Sequence, residues 1–362
     1  MGRVKREHEH VEVSIEGAEA EVKSKYFEKK PKLISQQVNP DVEYIKSLDS
    51  EAYFHYITEL TDDSPERWNR PLDSSIFVSR PGCEPLPSNF KSIYCKVRLM
   101  RSKLMTPVDT VGCASLPITV SDHCGIEKVN IEPKNYRLQL LTALMLSSQT
   151  KDEVTAQAMQ NIMQYSMKEL KISQGITLET LLRIDEKKLD ELVKSVGFHT
   201  RKAKYVKQMA QILVDSFDSD IPTDLPSILS LPGVGPKMGI LALQKAWGRM
   251  DGIGVDLHVH RLCKMWGWVD AKKCKTPEHT RKQLESWLPR ELWYEINPLL
   301  VGFGQVICMS RGKRCDLCLA NDVCNAVDPK IMAKKAKTEG RATRGDFSQW
   351  LEYWASNKDD VK

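Results

Sequence analysis

A lysine two residues after a Gly-x-Gly turn, an aspartate nineteen positions beyond it and four closely spaced cysteines are the side chains with chemistry to offer. The lysine is Lys237, in Leu231-Pro232-Gly233-Val234-Gly235-Pro236-Lys237-Met238-Gly239. This stretch reads as a tight turn between two helices. Gly233 and Gly235 permit backbone angles that a Cβ forbids. Pro236 suits the first helical turn, where its missing N–H is not needed. The amides of the turn and of the new helix point outward together and make an anion site. Lys237 falls in that first turn, at the positive end of the helix dipole, with apolar Met238, Ile240 and Leu241 beside it. Dipole and burial both favour a neutral amine, and a neutral amine is a nucleophile. A lone lysine in a G-x-G-x-K context is otherwise an ordinary solvated side chain, because short glycine motifs are weak evidence. Downstream residues decide between these readings.

Asp256 stands before an apparent helix that begins at Leu257, where aspartate is a preferred N-cap. Capping also fixes a carboxylate, and fixed geometry is what catalysis requires. His258 and His260 lie two apart, so a helix points them to different sides and they are read as structural. Cys308, Cys315, Cys318 and Cys324 give C-x6-C-x2-C-x5-C. Thiolates this close together must share a cation, and zinc is the generic expectation for four cysteines.

With these residues stand two more segments, Val255-Asp256-Leu257-His258-Val259-His260-Arg261 and Leu146-Ser147-Ser148-Gln149-Thr150-Lys151-Asp152. Together the motifs resemble, in order, those of the endonuclease III family of bifunctional DNA glycosylases with abasic-site lyase activity. The resemblance runs from about Ile93 to Asn325 and looks most like eukaryotic, fungal-type members that keep an iron–sulfur cluster. It implies an all-α, two-lobed helix-hairpin-helix glycosylase fold. It implies Lys237 as nucleophile, Asp256 as its acid/base partner and a 4Fe–4S cluster on Cys308, Cys315, Cys318 and Cys324, in place of zinc. It implies that Gln149 enters the DNA stack to fill the hole left by a flipped base, and that Asp152 lines the lesion pocket. A second wedge falls to Phe198 or His199. Gly233 and Gly235 then meet DNA phosphates, as do Arg311, Lys313 and Arg314 in the cysteine loop. The implied activity is excision of oxidised pyrimidines from duplex DNA and nicking by β-elimination. Two alternatives remain open here. The adenine-specific glycosylase branch shares hairpin and cluster but usually lacks the lysine. A non-enzymatic DNA-binding hairpin needs neither Asp256 nor Gln149.

These residues need a scaffold, and 362 residues with 41% hydrophobic content can supply one large domain or two lobes. The net charge of +5 is too small to prove a polyanion partner, so placement must decide. No apolar run is long enough to span a membrane. Ten cysteines without a disulfide-type pattern suit metal in a reducing compartment. Residues 1–90 read as a disordered or weakly ordered tail, with short helical pieces near Asp49 to Leu60. Glu7, Glu9, Glu12 and Glu16 argue against a mitochondrial presequence, Val4-Lys5-Arg6 hints at nuclear import, and Lys23 to Phe27 resembles a docking peptide for repair or replication proteins. A cluster lobe is expected from residues 91–131 plus 250–325, a helical lobe from 132–249, and a basic tail from 326–362. Pro107 to Pro133 reads as a loop whose Cys113 and Cys124 are inert thiols. Thr150 reads as an N-cap, with Glu153 completing a capping box. Arg201, Lys202, Lys204 and Lys207 read as a basic face for phosphates. The expected species is a monomeric enzyme of the nucleus, with the mitochondrion left open as an alternative, acting on damaged double-stranded DNA.

Overall fold

The computed structural model describes residues 40–61, 65–333 and 345–356. Among them the fold is all-α, without a strand. The helices are α1 (Val42–Ser47), α2 (Ser50–Thr61), α3 (Phe90–Arg101), α4 (Pro107–Thr110), α5 (Leu116–His123), α6 (Pro133–Ser147), α7 (Asp152–Tyr165), α8 (Leu178–Arg183) and α9 (Glu186–Leu192). They continue with α10 (His199–Ser216), α11 (Leu225–Leu229), α12 (Pro236–Trp247), α13 (Leu257–Met265), α14 (Pro277–Trp287), α15 (Trp293–Val306), α16 (Pro329–Met332) and α17 (Ser348–Ser356).

Two hydrophobic cores divide the chain. The first forms around α6, which is buried without a break from Asn135 to Leu146. A helix apolar all round needs neighbours on every side, and α5, α7, α10 and α12 provide them. Its buried polar residues find partners within the fold: Arg137 Nε donates to Asp220 at 3.1 Å, Gln139 Nε2 to the Ile176 carbonyl at 3.0 Å, and Thr142 Oγ1 to the Leu138 carbonyl at 2.8 Å, although Gln139 Oε1 and Arg137 Nη1 have none among the described residues. The second core surrounds α15, which packs on α3 and α13 and leads into the cysteine loop. Trp266, Trp268, Trp287 and Phe90 meet there edge to face or tilted, arrangements suited to ring quadrupoles.

The cores do not follow the expected boundaries. Ile45, Tyr53, Phe54 and Ile57 of α1 and α2 are buried in the first core, and Tyr53 donates to the Ala246 carbonyl at 2.8 Å. Trp68 and Phe90 belong to the second. Within the expected tail, residues 40–61 and 65–90 are therefore part of the body, because a few large apolar side chains outweigh their polar surroundings. The supposed loop before Pro133 contains α4 and α5, and Leu116, Val120, Ile126 and Ile131 join the first core, with Cys113 and Cys124 packed against it. At the other end Phe347, Trp350 and Trp354 bury α17 in the second core. The nuclear-import and docking segments and the basic residues Lys334, Lys335, Lys337, Arg341 and Arg344 lie outside the described residues.

Candidate active site

The hairpin joins α11 to α12. Asp224 caps α11 by accepting from Ser227 N at 2.9 Å. Gly233 has φ +79°, and a Cβ there would sit 2.5 Å from the Tyr205 ring, so both conformation and space demand glycine. Gly235 differs from expectation. Its φ is −100°, open to any residue, and nothing lies within 4 Å of where its Cβ would be. It is the N-cap of α12 and offers no side-chain acceptor, which leaves the first-turn amides of the helix without a side-chain cap. Lys237 follows in that turn, half-buried, and forms no hydrogen bond or ion pair among the described residues.

One carboxylate, Asp152, interacts with it electrostatically, and a second, Asp256, opens the helix after α12. Asp256 is the N-cap of α13, as expected, and accepts from Val259 N at 2.8 Å. Gly254 brings this stretch onto α12, because a Cβ there would fall 2.5 Å from Leu241, one turn beyond Lys237. Asp152 opens α7, and its Oδ2 accepts from Gln305 Nε2 at 2.9 Å. Gln305 Oε1 in turn accepts from Val108 N at 3.0 Å, which fixes the amide's orientation. Burial raises the Asp152 carboxyl, opposed by the Gln305 bond and by the charges of Lys237 and His258. Burial likewise raises the Cys113 thiol, and Lys237 opposes it there too. Lys237, Asp152 and Cys113 thus share one electrostatic neighbourhood. Gln305 had no motif to announce it; only the fold makes it the partner of Asp152.

Gln149 is exposed at the junction of α6 and α7, with φ +52°. Thr150 does not cap α7. The cap is Lys151, and Thr150 Oγ1 instead donates to the Ser148 carbonyl at 3.2 Å and accepts from Gly197 N at 3.1 Å. The expected box fails because α7 begins one turn-position later and the hydroxyl has a tertiary partner. Beside this junction lies the Gly197-Phe198 turn. Phe198 also has a positive φ, +58°, and is 58% exposed. His199 is held differently, its Nδ1 2.6 Å from Asp190 Oδ1. Of the two candidate second wedges, Phe198 is the more exposed and has no such tether among the described residues. A non-glycine residue in the left-handed region stores strain, and here two such residues sit on adjacent turns.

Half of the expected basic face is turned inward. Lys207 Nζ donates to the carbonyls of Leu181, Leu182 and Ile184 at 2.6–2.9 Å and closes the end of α8. Lys202 Nζ donates to the carbonyls of Leu146 and Ser148, both at 2.6 Å, and burial lowers its ammonium to about 8. Charged side chains answer the orphan carbonyls at helix ends better than water can inside a fold. Arg201 and Lys204 remain exposed.

The four cysteines line one cavity with Met265, Trp266, Phe303 and Ile307, and none of the four forms a disulfide. No three metal-binding side chains among the described residues converge on a single-ion site. Donors are aimed at the sulfurs: Ala326 N lies 3.4 Å from Cys324 Sγ and Arg261 Nη1 3.9 Å from Cys308 Sγ. Arg261 also donates to the Cys308 carbonyl, so the last residue of the Val255–Arg261 segment serves the cysteine loop. In that loop Arg311 is exposed and Lys313 half-buried. Arg314 overturns its expected phosphate role. It is 7% exposed, with its guanidinium 4.8 Å from the Phe347 ring.

A helical hairpin with a lysine at the mouth of its second helix, a capped carboxylate after it and a four-cysteine loop define a helix-hairpin-helix base excision repair glycosylase. Residues 142–290 match the family model described as "HhH-GPD superfamily base excision DNA repair protein". The chain is 52% identical over 361 residues to Endonuclease III homolog 2 of Saccharomyces cerevisiae, covering 96% of this chain and 94% of that one. It is 49% identical to Endonuclease III homolog 1 of the same yeast, covering 90% and 82%. Against Endonuclease III-like protein 1 of Mus musculus the identity is 45%, over 66% and 73%. The chain belongs to the endonuclease III family, and it is a DNA glycosylase and abasic-site lyase of base excision repair.

Proposed function

We propose that the enzyme removes oxidised pyrimidines from duplex DNA with Lys237 as nucleophile and Asp256 as its acid/base partner. The observation that carries this reading is a lysine at the start of α12 with no hydrogen bond or ion pair among the described residues, in the electrostatic neighbourhood of Asp152; the stretch after α12 then carries a carboxylate fixed by Val259 N. Oxidised bases stack and pair poorly, so extruding them costs less. Gln149 and Phe198 fill the space left behind, and Asp152, oriented by Gln305, lines the pocket that receives the base. The Lys237 amine attacks C1′ and the glycosidic bond breaks, its electron pair leaving with the base. Asp256 takes the proton shed by the attacking amine. The nitrogen lone pair then forms the C=N bond as C1′–O4′ breaks, O4′ takes the proton held by Asp256, and a Schiff base results. A proton then leaves C2′, the C3′–O bond breaks, and the strand is nicked. Water finally releases Lys237 from the imine.

Cys308, Cys315, Cys318 and Cys324 would hold a 4Fe–4S cluster. Sulfurs spread round a cavity, with N–H donors aimed at them, suit a polynuclear group better than one tetrahedral ion. The cluster would supply a covalent clamp on its loop and no redox or acid step. Arg311 and Lys313, on that loop, would then meet phosphates. Arg311→Ala and Lys313→Ala should each reduce the slope of log K against log salt by about 0.9. Arg314→Ala should leave the slope unchanged and lower Tm instead. Anisotropy titrations at several salt concentrations, paired with melting curves, check both.

Borohydride trapping tests the reading as a whole. A duplex carrying an oxidised pyrimidine should yield a covalent protein–DNA adduct and, without borohydride, a nicked strand. An undamaged adenine opposite 8-oxoguanine should yield neither. Excision of that adenine without an adduct would place the chain in the adenine-specific branch and end the proposal.

A further inference from the structure

We propose that Lys202 is a positioning residue for base extrusion, locking the turns that carry Gln149 and Phe198 into one rigid unit from inside the protein. This rests on the reading that those two side chains enter the duplex. Lys202 lies on α10, four residues after Phe198, and is 6% exposed. Its Nζ donates to the Leu146 and Ser148 carbonyls at 2.6 Å each and reaches Thr150 Oγ1 at 3.2 Å. An ammonium has three N–H donors, and all three are spent on these partners, leaving none for a phosphate. Leu146 is in the last turn of α6, whose carbonyls have no helical partner. Ser148 precedes Gln149 and Thr150 follows it, so one nitrogen holds the chain on both sides of the wedge.

The same unit takes in the second turn. Thr150 Oγ1 accepts from Gly197 N at 3.1 Å. Gly197 approaches so closely that a Cβ would lie 2.8 Å from the Gln149 carbonyl oxygen. Gln149 and Phe198 both keep left-handed backbone, φ +52° and +58°. Such conformations persist only where the surroundings over-determine them, and Lys202 with Thr150 supplies that constraint. Burial lowers the Lys202 ammonium to about 8, still above neutral pH, so the charged, three-donor form predominates there. A rigid pair can fill a duplex gap as the base leaves it. A loose pair must be ordered by the DNA at the moment of extrusion, which slows that step.

The test separates extrusion from chemistry. Lys202→Met keeps an unbranched side chain, one atom shorter, and removes its donors. It should slow excision from a damaged duplex by about ten-fold or more. It should leave borohydride trapping on a preformed abasic site in single-stranded DNA within about two-fold of wild type, since that substrate needs no extrusion. Lys202→Arg should recover part of the loss. Added to Gln149→Ala, Lys202→Met should cost little more, because both remove one function. Thr150→Val, a milder change, should show the same split and decides the matter if Lys202→Met does not fold. Equal losses on both substrates, full additivity with Gln149→Ala, or a salt slope lowered by about 0.9 as for a phosphate contact would each overturn the proposal. If Gln149→Ala and Phe198→Ala themselves leave excision intact, the wedge reading fails first.

Discussion

Lys237→Gln should give no borohydride adduct with any duplex and should nick abasic sites at least about a thousand-fold more slowly than wild type, since removing a nucleophile costs more than weakening its activation. Glutamine matches lysine in helix preference and carries no attacking amine. Lys237 makes no internal hydrogen bond or ion pair among the described residues, so its loss should not strain the fold. Tm and duplex affinity should therefore stay close to wild type. Lys237→Arg should fail as completely, because a guanidinium keeps its proton at any working pH. Asp256→Asn makes the companion case. Asparagine caps a helix as well as aspartate does, so the bond from Val259 N should survive and stability with it. Only the carboxylate's proton acceptance disappears, and both excision and trapping should fall. Mass spectrometry of the trapped product, with peptide mapping, is the decisive measurement. An adduct of undiminished yield on Lys237→Gln, or one mapped to another lysine, would remove the enzyme's proposed centre.

The hairpin, the capped Asp256 and the cysteine spacing were legible because each is local: glycines, a proline and a cap act within a few residues of one another. What depended on distant partners was not legible. Thr150 has the sequence of an N-cap, yet Gly197 and Lys202 claim its hydroxyl from another helix. Lys202 and Lys207 look like any exposed basic pair on an amphipathic helix until the ends of α6 and α8 are placed against them. Arg314 has the same charge as Arg311, and only the return of the chain at Phe347 distinguishes the buried one from the exposed one. The choice between Phe198 and His199 likewise turned on Asp190, which no motif includes. The helical piece near Asp49 to Leu60 was legible and is α2, but its docking was not: composition over a long charged stretch cannot see a few large apolar residues that pack on α6 and α12.

Cys318→Ser should release iron, abolish the visible iron–sulfur absorbance and destabilise the protein by on the order of 4 kcal/mol, the scale of losing a structural metal. The reason lies in what surrounds the loop. Met265, Trp266, Phe303 and Ile307 line the sulfur cavity, and these residues otherwise bury themselves in the second core. The Arg314 side chain covers Phe347 from the same loop, and Leu319 N lies 3.4 Å from Met100 Sδ of α3. Losing the cluster should therefore loosen α17 and the α3 contact together, seen as faster hydrogen exchange in residues 315–320 and 347–354. The first core, with α6 and the hairpin, shares none of these contacts, and its exchange should change least. Trapping per folded molecule on single-stranded abasic DNA should consequently survive far better than duplex binding, which needs Arg311 and Lys313 held in place. Cys113→Ser separates the cluster from thiols in general: it should leave iron content unchanged, because Cys113 sits with Lys237 and Asp152 and not with the cysteine loop. Retention of full iron by Cys318→Ser, or one zinc ion per wild-type chain in place of iron, would contradict the cluster; a Lys237 adduct lost along with the iron would mean that the two cores do not act as separate units.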